Sequence, residues 1–98
     1  MIKHYIVDIF IPYMAGNGKD YKHVAYVTAA GKRLAIKKFL FHMNADKEFS
    51  TFDIPVDIQL RHYNEMPNVY TDKLRRFRIT IKLLGVHDDF VDLTDILG

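Results

Sequence analysis

The segment HYIVDIFIPY, residues 4 to 13, alternates between an apolar side and a mixed side along its whole length. The apolar side carries Tyr5, Val7, Ile9, Ile11 and Tyr13, and the opposite side carries His4, Ile6, Asp8 and Phe10. Successive side chains of a β-strand point to opposite faces of a sheet. The segment therefore predicts a strand that presents one face to a core.

A hairpin and a helix are predicted next. The glycine and asparagine residues of MAGNGKDYK suit a tight loop, and YKHVAYVTA, residues 21 to 29, predicts a second strand antiparallel to the first. Helix signals begin near Thr28 or Gly31 and continue to about Asn44, with Thr28 as a candidate N-cap. One face of this helix is apolar and should lie on the sheet; it consists of Ala35, Ile36, Phe39, Leu40 and Met43.

Two further segments alternate in the second half of the chain. In residues 49 to 63 the inward positions are Phe52, Ile54, Val56, Ile58 and Leu60, and in residues 74 to 84 they are Phe77, Ile79, Ile81 and Leu83. We read both segments as strands joined by a turn in NEMPNVYTDK. A register that pairs Ile58 with Phe77 sets Asp57 opposite Arg78 and partly neutralises the basic run LRRFRITIK, residues 74 to 82.

These elements predict an α+β fold of order β-β-α-β-β. It is a single two-layer domain, with a four-stranded, mostly antiparallel sheet, one helix packed on one face and a short acidic C-terminal element. The length of 98 residues suits one domain. We assign residues 1 to 87 to the α+β domain and residues 88 to 98 to an acidic and hydrophobic tail.

Charge is distributed unevenly along the chain. All 14 lysines and arginines precede residue 88, which leaves residues 1 to 87 with a formal charge of +6, while the last eleven residues hold four aspartates and no cation. The absence of cysteine excludes disulfides and thiolate chemistry. With no secretory signal and no apolar run of the length that spans a membrane, we expect a cytoplasmic protein without a membrane partner.

The helix carries a second apolar stripe that one sheet cannot cover. Leu34 and Phe41 lie on its outward side, flanked by Lys37 and Lys38. Three explanations remain open. The tail could fold back over the stripe, two copies could associate through it, or Phe41 could stack on a base while the lysines contact phosphates. The tail residues with helical spacing are Phe90, Leu93 and Leu97.

The sequence offers little catalytic chemistry. Gly31 and Lys32 do not form a P-loop, and the five histidines are well separated, so we expect no cofactor and no metal. Asp53 and Asp57 are separated by about 13 Å along an extended strand, which is too far for a shared acid–base site. We therefore expect no catalytic residues and no enzymatic activity.

The tail HDDFVDLTDILG combines acids with apolar residues. Its composition resembles the acidic, hydrophobic-ended tails of single-stranded DNA-binding proteins, although it lacks their aromatic terminus. That resemblance covers about a tenth of the chain and implies a tail that screens the basic body or recruits other proteins. The preceding domain shows no five-strand barrel pattern.

Two function hypotheses follow. In the first, a small and dimeric nucleic-acid-binding protein contacts phosphates through Lys32, Arg33, Lys37, Lys38, Arg75 and Arg76. In the second, a protein-binding module, such as a phage-type inhibitor or an assembly adaptor, uses the stripe of Leu34 and Phe41 or the tail. The +6 charge of the body favours the first hypothesis.

Overall fold

The computed structural model describes residues 1–12 and 18–87. Within these ranges the elements are β1 (Ile2–Ile11), β2 (Tyr21–Ala29), α1 (Lys32–Met43), α2 (Lys47–Ser50), β3 (Arg61–His62), β4 (Val69–Thr71) and β5 (Arg78–His87). The acidic tail, with the predicted contact residues Phe90, Leu93 and Leu97, lies outside the described residues.

The strands form one antiparallel sheet in the order β2-β1-β5-β4-β3. The first strand is central, because Val7 pairs with Ala25 of β2 on one side and with Ile81 of β5 on the other. The predicted α+β class and the antiparallel pairing of the first two strands are confirmed. The sheet has five strands instead of the predicted four.

The helix α1 packs on one face of the sheet with the residues that its periodicity predicts. The buried residues of α1 are Ala35, Ile36, Phe39, Leu40 and Met43. They meet the apolar side of β1, where Tyr5, Val7, Ile9 and Ile11 are also buried. Each large apolar side chain removed from water in this way contributes about 1.5–3 kcal/mol. The core therefore lies between α1 and the central strands.

The helix begins at Lys32, so the candidate N-cap Thr28 is wrong. Strand β2 continues through Ala29, which pairs with Lys3 of β1, and Thr28 therefore remains in the sheet. The N-cap is Gly31 and no side chain bonds to the first turn. At the other end the amide of Asn44 donates to the carbonyl oxygens of Leu40 at 2.9 Å and Ile54 at 3.0 Å.

The segment from 49 to 60 is not a strand, which corrects the prediction. The short helix α2 is capped by Asp46, whose carboxylate accepts from the backbone N–H of Phe49 at 2.9 Å. Asp53 then adopts a positive φ of 54°, and the N–H of Ile58 closes a turn on the carbonyl of Pro55. The alternation still separates buried from exposed side chains, but the backbone forms no ladder there.

Strand β4 lies inside the segment predicted as a turn, and this changes the register of β5. Tyr70 of β4 pairs with Ile79, while on the other side Arg78 pairs with Phe10 of β1. Arg78 is therefore not opposite Asp57, and the predicted hairpin of the second half is wrong. The basic side chains of β5 instead join the residues of β1 and β2.

Candidate nucleic-acid interface

The sheet face opposite α1 is open among the described residues, and we call it the open face. Side chains alternate along each strand, so the register fixes which residues lie there. They are His4, Ile6, Asp8 and Phe10 of β1, Lys22, Val24, Tyr26 and Thr28 of β2, and Arg78, Thr80 and Lys82 of β5. Val24 and Tyr26 are 60% and 56% exposed. The open face is thus a mixture of apolar, aromatic and cationic groups.

Aromatic rings and cations meet at one end of the open face. The guanidinium of Arg78 lies 4.9 Å from the centroid of the Phe10 ring and 5.6 Å from that of Tyr63. The ammonium of Lys22 lies 5.4 Å from the Phe10 centroid, and the guanidinium of Arg75 lies 4.6 Å from that of Tyr63. These are cation–π distances. We call these five residues the Arg78 cluster.

Strand pairing brings Phe10, Lys22 and Arg78 of the cluster together. Phe10 pairs with Lys22 of β2 and with Arg78 of β5, so both cations flank the same ring from neighbouring strands. Tyr63 follows β3 in the chain and belongs to the Arg78 cluster through its contact with the guanidinium of Arg78. The cluster therefore depends on long-range register and not on any local motif.

A buried aspartate fixes the turn that presents Arg75. The carboxylate of Asp72 accepts from the backbone N–H of Arg76 at 2.8 Å and from its Nε at 2.6 Å. The backbone N–H of Arg75 donates to the carbonyl of Asp72 at 3.0 Å, and Arg75 adopts a positive φ of 55°. Its guanidinium also donates to the side chain of Asn64 at 2.7 Å. These hydrogen bonds restrain the backbone of the turn and so fix the position of Arg75 next to the Tyr63 ring.

The open face carries little negative charge. Asp8 is the one acidic residue in the described strands, and it lies between Val24 and Thr80. Partial burial raises the pKa of its carboxyl above the ordinary value of 3.8. Lys22, Arg78 and Lys82 outnumber it, so the described part of the open face is net positive.

A second aromatic residue lies further along the open face. Tyr26 shares a hydrogen bond between its hydroxyl and Nδ1 of His4, and the two ring centroids are 5.6 Å apart. Its partner across the strands is Ile6, four residues from Phe10 along β1. Tyr26 is thus separated from the Arg78 cluster by roughly 13 Å of strand.

The four helix cations predicted as phosphate contacts lie on the opposite side of the sheet. Lys32 donates to the side chain of Asn68 at 2.9 Å, and Lys38 donates to the carbonyl oxygen of Thr28 at 2.8 Å. The remaining two, Arg33 and Lys37, border a groove of about 200 Å³ between α1 and the segment that follows α2. The structure therefore separates these cations from Arg75.

The other predicted residues are found in three settings. Arg76 forms the ion pair with Asp72, whose side chain is buried, and so stabilises a turn. Leu34 and Phe41 are 45% and 73% exposed on the outer side of α1, as the helical spacing indicates. Tyr70, which lies in the segment predicted as a turn, is buried in the core.

Sequence reasoning assigned no binding role to Phe10, Lys22 or Arg78, and it placed Arg78 opposite Asp57. Alternation along β1 does place Phe10 on the face away from the core, which was the available signal. The alternation does not give the strand register, and it is the register that sets Arg78 and Lys22 beside the Phe10 ring.

No protein-family model matches the chain, and neither a curated protein nor a solved structure matches it. Among residues 1–12 and 18–87, no group of three or more histidines and carboxylates could hold a metal ion. In the same ranges, no helix is long and apolar enough to cross a membrane.

Proposed function

We propose that this protein is a non-catalytic, cytoplasmic binding protein that takes up single-stranded nucleic acid on the open face. The observation that carries the proposal is the position of Arg78, whose guanidinium lies over the rings of both Phe10 and Tyr63. Aromatic rings and guanidinium planes both stack on bases, and stacking contributes about 1–3 kcal/mol per base. Lys22 and Lys82 supply charge for the phosphates of the same strand.

The shape of the open face favours a single strand over a duplex. The major groove of DNA is about 12 Å wide and admits a helix or a two-stranded ribbon, but not the face of a broad sheet. Unpaired bases can spread across a sheet and stack on its side chains. The rings of Phe10, Tyr63 and Tyr26 belong to the open face, where such bases would lie.

The proposal is tested by binding of a fluorescent oligonucleotide to the protein across a salt series. Arg78→Gln should weaken binding of a single strand and lower the slope of log affinity against log salt by about one phosphate contact. The matched control is Lys47→Gln, which removes an equal charge from an exposed position on α2. It should leave both affinity and slope close to those of the wild type.

Three results would contradict this proposal. Absence of binding to single-stranded DNA and to single-stranded RNA at low salt would exclude a nucleic-acid ligand. Equal losses for Arg78→Gln and Lys47→Gln would show that net charge alone governs binding. A preference for duplex over single strand would exclude the stacking role of the open face.

The exposure of Phe41 favours a second candidate, which is a protein-binding module. The stripe of Leu34 and Phe41 offers two large apolar side chains on α1, next to the cations Lys37 and Lys38. Such exposed apolar groups are typical of interaction sites. Under this alternative, Phe41→Ser abolishes capture of a partner protein while oligonucleotide binding stays at the wild-type level.

A further inference from the structure

The two edges of the sheet are protected differently. Strand β3 forms one edge and has only two residues, Arg61 and His62. Strand β2 forms the other edge with nine residues, and no described strand pairs with its outer side. A long exposed edge invites pairing with another strand, and proteins normally shorten, charge or distort it. The β3 edge follows this rule and the β2 edge does not.

Lys38 of α1 covers the outer edge of β2 at Thr28, near the end of the strand, and the sequence of the strand adds little further protection. It contains no proline and no acidic residue, and it pairs with β1 over its whole length without a shift of register. Its one lysine, Lys22, stands near its start. The middle of the strand instead exposes Val24 and Tyr26, which are apolar and aromatic. Its outer edge is therefore straight, long and uncharged at its centre.

Hydrogen bonds show which backbone groups face outward from β2. Lys38 donates to the carbonyl oxygen of Thr28, so that carbonyl is accessible from the outer side. In an antiparallel pair, the backbone groups of alternate residues point to the same side. Those of Val24 and Tyr26 therefore point outward as well. The backbone N–H of Ile81 donates to the carbonyl oxygen of Asn68, so the backbone groups of Ile81 point to β4 and those of its neighbours in β5 point to β1. The registers of β5 with β1 and of β1 with β2 then give the same result, with the backbone groups of Val24 and Tyr26 pointing outward.

We infer that the outer edge of β2 pairs antiparallel with β2 of a second copy of this chain, about a two-fold axis at Ala25. In this register Val24 of one copy faces Tyr26 of the other, and each exchanges backbone hydrogen bonds with its partner. Pairs of an aromatic and a β-branched residue directly opposite each other stabilise a sheet. Ala25 meets its own symmetry mate, where a small side chain permits close approach.

Symmetry favours a second copy as the occupant of this edge, and charge favours the antiparallel register of the two copies. One two-fold contact covers both β2 edges at once and leaves only the two-residue β3 strands at the outer ends. The antiparallel register sets Lys22 opposite Thr28, whereas a parallel arrangement would set Lys22 opposite Lys22. The open faces of the two copies then form one continuous surface. This inference concerns assembly and does not depend on nucleic-acid binding.

The test uses the full chain without nucleic acid. Sedimentation should show a reversible dimer. Val24→Lys should raise its dissociation constant about tenfold or more, because the dimer carries the unfavourable change twice. Circular dichroism checks that Val24→Lys remains folded, and Leu83→Lys is the matched control because Leu83 is exposed on β5, which β1 separates from the β2 edge. The control should dimerise like the wild type.

Cross-linking then locates the contact. The chain contains no cysteine, so Ala25→Cys gives a single thiol that should form a disulfide with its copy under mild oxidation. Directly opposite Cβ atoms of such a pair are about 4.5–5.5 Å apart, close enough for a bridge after slight adjustment. Leu34→Cys on α1 should stay uncross-linked under the same conditions. A monomer at all concentrations, or a dimer that cross-links through Leu34→Cys and not through Ala25→Cys, would overturn the inference.

Discussion

The guanidinium of Arg78 lies 4.9 Å from the centroid of the Phe10 ring, on the face of the sheet that α1 leaves open. The contact exists because β5 pairs with β1 in the middle of the sheet. A ring held under a guanidinium is already oriented and needs little further ordering to stack on a base. This pair is therefore the place where we propose that a nucleotide stacks.

We predict that Phe10→Leu weakens binding of a single-stranded oligonucleotide by about 1–3 kcal/mol, since one stacking surface is lost. Leucine preserves an apolar contact under Arg78, so the melting temperature should change little. Fluorescence anisotropy measures the affinity. Phe41→Leu removes an exposed ring on the opposite side of the sheet and serves as the control. Equal affinities for wild type and Phe10→Leu would exclude stacking on this ring.

Local periodicity was sufficient to predict the packing of α1 and β1. The five buried residues of α1 follow from helical spacing alone, and the alternation of β1 separates Val7 from Asp8 correctly. These features depend on contacts between residues near one another in sequence or on one element. They can therefore be predicted before any register is known.

The Arg78 cluster could not be predicted in the same way. The alternation of residues 52 to 60 is typical of a strand, yet Pro55 offers no N–H and Asp53 adopts a left-handed conformation. That segment therefore covers the core without joining the sheet. Because this segment is not part of the sheet, Arg78 of β5 pairs with Phe10 of β1 and does not lie opposite Asp57 as predicted. Long-range pairing decides this contact, and local patterns contain no information on it.

A second prediction concerns Asp8 and pH. Burial raises the pKa of its carboxyl in the folded protein above the ordinary value of 3.8. The folded state thus holds its proton more tightly than the unfolded state, and stability falls as pH rises through this interval. Asp8→Asn should therefore raise the melting temperature at pH 7, and the difference should vanish near pH 3. Thermal melts of both proteins at the two pH values provide the measurement.

The same substitution should tighten nucleic-acid binding. Asp8 is the one acid in the described strands, so Asp8→Asn removes a repulsion with phosphate and should raise affinity roughly fivefold at low salt. Asp57→Asn, an exposed change on the other side of the core, is the control. If the two variants gain equally, the phosphates do not approach Asp8.

A further prediction concerns Asp72, which restrains the turn beneath Arg75. Asp72→Ala removes the acceptor for the backbone N–H and the guanidinium of Arg76, and should destabilise the protein by about 1–3 kcal/mol in urea unfolding. Arg76→Ala leaves the backbone bond in place and should cost less. If Arg76→Ala is the more harmful change, the aspartate does not fix this turn.

The last prediction concerns the acidic residues 88 to 98, which carry the proposed role in screening or partner recruitment. Replacing Asp88, Asp89, Asp92 and Asp95 by asparagine changes the formal charge of the chain from +2 to +6 and keeps its length. Affinity for a single strand should rise by roughly tenfold at 0.01 M salt, where the Debye length is about 30 Å, and the gain should shrink at 0.15 M salt, where that length is about 8 Å.

A second variant separates screening from a structural role of the apolar tail residues. Replacing Phe90, Leu93 and Leu97 by serine keeps all four aspartates. If the tail acts only through its charge, this variant binds oligonucleotide and melts like the wild type. A large fall in melting temperature would instead show that these side chains belong to the core, because only buried apolar groups contribute stability of that size. An unchanged affinity of the asparagine variant at every salt concentration would mean that the tail does not screen the open face.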